Sequence, residues 1–202
     1  MYTMDKKIRQ PKQDRAKDKK KKIIEAAYDI FSEVGFYNTN TTDIAKKAGV
    51  STGIVYGYFS DKRDILLYVI DIYIEKVSEP FKNYVSKITA PLDFNNVVTD
   101  LLNLTMETHK SNANIHNILH SLAVTDTEIN QKFLVLEDNI TFSISDKLKD
   151  LGLCADSLKE KVHVAMNSIQ SFAHEYVYDK HDYIDYEKMK SVVIQMVVSL
   201  FE

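Results

Sequence analysis

Residues 39–59 read TNTTDIAKKAGVSTGIVYGYF, and this stretch decides the fold. Asn40 is placed to cap a helix whose third position is the acceptor Asp43, so free amides at the helix start find partners. Ile44 and Ala48 give that helix a narrow apolar face, and Ala45 is small where a second helix must cross closely. Gly49 permits the positive φ that reverses the chain in a tight turn. Val50 plugs the turn, Ser51 is a cap for the next helix, and Val55 and Phe59 point back to a core. Two short helices joined by a three-residue turn with a glycine form a helix-turn-helix, whose second helix enters the DNA major groove. An ordinary helical hairpin with exposed polar residues is the competing reading. The coincidence of cap, small crossing residue, turn glycine, plug and apolar returns, with basic flanks at 17–22 and Lys62–Arg63, favours DNA binding.

Working outward, the chain of 202 residues carries a net charge of −3 that hides a division. Residues 1–63 hold 14 Lys and Arg against 8 Asp and Glu; residues 64–202 hold 12 against 21. A basic head on an acidic body suits a nucleic-acid partner, although the lysine run KDKKKK (17–22) taken alone reads as a solvated tail. Four of the five glycines fall within residues 35–57, and after Pro91 no proline and a single glycine, Gly152, occur. That pattern predicts long helices with short connections. Apolar spacing places helices at about 14–34, 41–48, 52–59, 61–83, 92–110, 113–124, 127–151, 156–179 and 185–201. The expected fold is all-α with about nine helices: a basic arm over 1–16, a helix-turn-helix domain over 17–62 and a helical ligand-binding and dimerisation domain over 63–202. One cysteine, Cys154, allows no intrachain disulfide, and no apolar run of membrane-spanning length occurs. A cytoplasmic protein is the expectation.

On the second helix of the motif, Thr52, Tyr56 and Tyr58 offer hydroxyls to phosphates or base edges, Gly53 lets the backbone approach, and Ile54 can press on a thymine methyl. The segments IIEAAYDIFSEVGF (23–36) and TTDIAKKAGVSTGIVYGYFSDKRDIL (41–66) resemble the N-terminal domain of the TetR family of bacterial transcriptional repressors. The run GVS-x-G-x-x-Y-x-YF with a lysine three residues on, Lys62, is the most specific element. The resemblance implies that Thr39 and Thr41, with Thr42 beside them, hold phosphates at the start of the second helix. It implies that Thr52, Gly53, Tyr56 and Tyr58 face the groove and that Lys62 holds a further phosphate, with Lys19 and Lys22 of the lysine run nearest the backbone. Thr52 stands where a lysine is common and Gly57 where an aromatic or histidine is common, so each removes a contact the family often has.

Beyond about residue 70 the likeness is architectural. It implies a homodimer packed through the last two helices and a small-molecule effector that releases a palindromic operator. The apolar stripes Leu158, Val162, Ala165, Met166, Ile169, Phe172, Ala173, Tyr176 and Val177, and Tyr186, Met189, Val192, Val193, Met196, Val197, Leu200 and Phe201, suit such an interface; lining the subunit's own core is the alternative. Candidate pocket residues on the central helices are Met106, His109, His116, His120, Phe133, Met166, Ile169 and Phe172, with Ile115 and Leu119 near them. His116 and His120, at i and i+4, make half a metal site, but no carboxylate is spaced beside them and no cysteine is near, so neither metal nor cofactor is expected. Arginine stops at Arg63, and Lys110 and Lys132 are the only cations between Val97 and Ser145. A neutral or cationic apolar effector is therefore favoured over an anionic one. Two other classes remain: a helical enzyme, for which no nucleophile–base pair or phosphate loop is visible, and a nonspecific DNA protein using the lysine run alone.

Overall fold

The computed structural model describes the backbone of residues 11–202 and the side chains from Arg15 onward. Among these residues there are nine α-helices and no strand: α1 Pro11–Val34, α2 Thr41–Ala48, α3 Thr52–Tyr56, α4 Lys62–Lys87, α5 Phe94–Ser111, α6 Ala113–Ala123, α7 Thr127–Asp150, α8 Leu158–Tyr178 and α9 Tyr186–Val198. The chain divides into two compact units, Met1–Asp71 and Ile72–Glu202. The division falls inside α4, whereas the sequence places a boundary where that helix begins. Of the arm expected over 1–16, residues 1–10 lie outside the described residues, and 11–16 are already part of α1. The lysine run 17–22 is helical as well, within the helix expected over about 14–34.

In the first unit, α1 turns Ile23, Ala27 and Phe31 into a core with Ile44 of α2 and Val55 of α3. Gly35, at φ +86°, ends α1 by donating its amide to the Phe31 carbonyl at 3.0 Å. The Asn40 side chain accepts from the Thr42 and Asp43 amides, both at 2.9 Å, and the Asp43 carboxylate accepts from the Asn40 amide at 3.3 Å. This is the reciprocal cap that the sequence predicts. Gly49 takes the left-handed conformation at φ +68° and closes α2. Two local expectations fail. Ser51 is in extended backbone and makes no side-chain cap bond. The second helix of the motif ends at Tyr56 instead of Phe59: Gly57 bonds back to both Gly53 and Ile54, and Tyr58 bonds to Val55, so the helix tightens into a shorter turn. Glycine supports a helix less well than any residue except proline.

In the second unit, α5 packs on α8 and α9, and α7 packs on α6 and α8. Aspartates cap α5, α7 and α9: Asp93, Asp126 and Asp185 each accept from amides of the first turn. Helix α4 continues through Pro80 to Lys87, past its expected end near Asn83. The apolar stripe of α8 is interior: Val162, Ile169, Phe172 and Ala173 are buried, as are Val193 and Val197 of α9. These residues belong to the subunit's own core, so the reading of Ile169 and Val193 as interface residues does not hold. What the two helices leave outside is a narrower strip with Val164, Val192 and Met196, which are 50%, 61% and 46% exposed. No helix among the described residues is long and apolar enough to cross a membrane.

Candidate nucleic-acid interface and effector cavity

The short helix α3 buries Val55 and leaves Tyr56 and Gly53 exposed, with Thr52, Ile54 and Tyr58 half-buried. The Tyr56 hydroxyl and the Thr41 hydroxyl are 3.0 Å apart, which joins the end of α3 to the start of α2. Thr42 is exposed next to this pair. A Cβ at Gly53 would meet no atom closer than the Ser51 Oγ at 4.0 Å, so the glycine presents bare backbone on an open surface.

Two of the expected phosphate ligands are occupied within the unit. Thr39 is buried, and its hydroxyl donates to the Gly35 carbonyl at 2.8 Å. The Lys62 ammonium donates to the carbonyls of Phe36 at 2.6 Å and Thr39 at 2.7 Å, and lies 4.2 Å from the centre of the Phe36 ring. Burial pushes the Lys62 ammonium below the usual lysine value. Lys62 therefore clamps the α1–α2 loop to the start of α4. The lysines of α1 are sorted too. Lys19 and Lys22 are exposed, Lys20 sits over the Tyr68 ring at 3.8 Å, and Lys21 is 3.7 Å from Glu25.

The second unit encloses a cavity of about 270 Å³ with walls from α4, α5, α6, α7 and α8. His109, His116, His120, Phe133 and Met166 line it, with Glu137, which the sequence offers as a partner for a cation; Tyr73, Phe81, His163 and His174 also line it, and sequence reasoning did not mark them. Met106 and Phe172 stand in the core beside it, and Ile169 faces a smaller apolar cavity of about 40 Å³. His109 Nδ1 lies 2.9 Å from the Thr105 carbonyl, and His116 Nδ1 lies 2.6 Å from the Tyr73 hydroxyl. Burial, with neighbouring imidazoles, pushes His116 down to about 2; burial likewise holds His120, which opens onto the cavity, at about 4. Burial lowers His109 against the opposing bond to Thr105. The histidines of the two central helices are therefore neutral at physiological pH. Among the described residues no group of three or more His, Cys, Asp or Glu is arranged to hold a metal ion.

Residues 23–69, which contain the two helices, their turn and the start of α4, match the model of the bacterial regulatory proteins of the tetR family. That segment is similar to the DNA-binding part of the TetR family. The chain is 36% identical over 76 residues to the HTH-type transcriptional regulator HbdR of Aromatoleum sp. (strain CIB), a match that covers 38% of this chain and only 33% of that protein. It is 28% identical over 151 residues to the fatty acid metabolism regulator protein of Bacillus subtilis (strain 168), covering 71% of this chain and 73% of that one. A TetR-family transcriptional regulator from Mesorhizobium loti MAFF303099 has the same fold, with a TM-score of 0.74 at 16% identity over 92% of this chain and 96% of that one.

Proposed function

We propose that this chain is a homodimeric, cytoplasmic repressor that holds a palindromic operator and leaves it when a small apolar effector, neutral or cationic, occupies the histidine-lined cavity. The observation that carries the reading is the pairing, in one chain, of an outward-facing helix-turn-helix with a separate unit that encloses a cavity. Two-fold dimers read two-fold sites with recognition helices about 34–36 Å apart, so a ligand that favours a different spacing weakens binding without touching DNA.

In this reading Thr52, Gly53, Ile54, Tyr56 and Tyr58 meet the groove. Thr41, Thr42, Lys19 and Lys22 hold phosphates. Thr39 and Lys62 act one step back, by fixing the loop that presents Thr41. The exposed strip with Val164, Val192 and Met196 is the part of α8 and α9 available to a dimer mate. Footprinting of the purified protein on DNA flanking its own gene, at about 100 mM salt, tests the proposal. A protected palindrome that is lost on adding effector supports it; uniform, steeply salt-dependent binding without a footprint rejects it.

A second reading makes the effector an uncharged acyl derivative. The Bacillus subtilis relative named for fatty acid metabolism favours it. So does the small cavity beside the main one, whose walls include Val85, Phe94, Leu101 and Phe201.

A further inference from the structure

The cavity concentrates one residue type. Five of the chain's six histidines stand on its walls, and among the described lining residues Glu137 carries the only formal charge. The rings face one another closely. His116 lies 4.5 Å from His109 and 4.2 Å from His120 between ring centres, and His120 lies 4.4 Å from Phe133. Tyr178 stacks on His116 at 5.5 Å with an interplanar angle of 8°. Neutral imidazole, phenol and phenyl rings all present electron-rich faces, which attract a cation and give an anion nothing.

We propose that the cavity takes a lipophilic cation, an ammonium group on an aromatic or alkyl body, held against the ring faces with Glu137 as its counter-charge. The inference rests on the reading of this cavity as the effector site. A carboxylate ligand would meet Glu137 and no lysine or arginine. A neutral ligand would use the apolar walls but gain nothing from the carboxylate or the quadrupoles. Only a cation draws on every feature of the lining.

The groups facing the site are Tyr73 from α4, His109 from α5, His116 and His120 from α6, Glu137 from α7, and His163, His174 and Tyr178 from α8, with Asp179 3.5 Å from His174 Nδ1.

Isothermal titration of the full chain with benzoylcholine, its uncharged isostere 3,3-dimethylbutyl benzoate, and a carboxylate of matched size tests this. At pH 7.5 the choline ester is expected to bind at least about tenfold tighter than the isostere. Glu137→Gln should erase most of its advantage. The Glu137 side chain is exposed, so this variant folds; circular dichroism checks it. Equal or tighter binding of the ester isostere, or preference for the carboxylate, overturns the cation assignment and leaves the effector cavity standing. Binding of none of the three overturns both.

Discussion

Replacing Lys62 with methionine separates two roles for this lysine. The substitution keeps an unbranched stem and removes the ammonium that reaches the Phe36 and Thr39 carbonyls at 2.6 and 2.7 Å. Hydrogen bonds to a charged group contribute about 1.5–3 kcal/mol each when well buried, and a cation over an exposed ring about 0.5–1 kcal/mol. Those sums do not apply at full value here. Lys62 is only half-buried, and burial lowers its pKa, so desolvation consumes part of the gain. A net loss of about 1–2 kcal/mol in the stability of the first unit is expected. Chemical unfolding of wild type and Lys62→Met, read alongside operator binding across a salt series, makes the measurement. If Lys62 instead held a phosphate in each half-site, losing two such contacts would lower the salt slope by about 2 units. The expected result is reduced stability with an unchanged slope. Unchanged stability with a slope lowered by one to two units would refute the clamp.

Tyr56→Phe and Thr41→Val should each weaken operator binding, and the double variant should lose less than the sum by about 0.5 kcal/mol or more, because the two hydroxyls form one unit at 3.0 Å; fluorescence anisotropy on the footprinted site decides it, and strict additivity would count against the pair. For His116 the folded pKa of about 2 lies below the ordinary value near 6.5, so the unfolded chain binds the proton first and stability is lost as pH falls below about 6.5. At pH 5 that loss is about 2 kcal/mol, measurable as a fall in urea midpoint between pH 7.5 and 5; His116→Phe should flatten this acid limb, and a wild-type midpoint that does not move would sink the argument. Val192→Asp or Met196→Asp should leave a folded chain that sediments as a monomer, whereas Val193→Asp, which buries a charge without a partner, should unfold the second unit. A stable dimer from both surface variants would place the interface elsewhere.

The parts of the fold that were legible in the sequence are those held by neighbours along the chain. The bounds of α2, its Asn40–Asp43 cap and the left-handed Gly49 all depend on residues within a turn or two, and all appear where the sequence places them. What could not be read depends on distant partners. The carbonyls that capture Lys62 lie 26 and 23 residues back, and no side-chain pattern announces a carbonyl in need of a donor. The stripes on α8 and α9 were legible as apolar but not as inward, since helical spacing does not say which neighbour covers a face. Three of the cavity histidines were marked from their helices, yet His163 and His174 were not, because α8 meets α5 and α6 only through tertiary packing. Pro80 breaks no helix here, and α4 runs on to Lys87.

The ordering of the lysine run in α1 bears on how such a head would hold DNA. A disordered run would offer all of its ammonium groups to the phosphates at once. In a helix they are divided: Lys20 turns to Tyr68, Lys21 lies near Glu25, and Lys62 is spent on backbone carbonyls, while Lys17, Lys19 and Lys22 remain outward. Few phosphate contacts mean weak, sequence-tolerant attraction from any single head, since that attraction scales with the charges neutralised. In the proposed interface, hydroxyls on Thr41, Thr52, Tyr56 and Tyr58 would add register and base discrimination but no charge. A head built this way needs a second head at high effective concentration to reach useful affinity, which a dimer supplies by linking the two binding events. The same arithmetic makes release easy. An effector need not disrupt either helix-turn-helix; it has only to make simultaneous engagement of both half-sites unfavourable, and the affinity falls back toward that of one weak head.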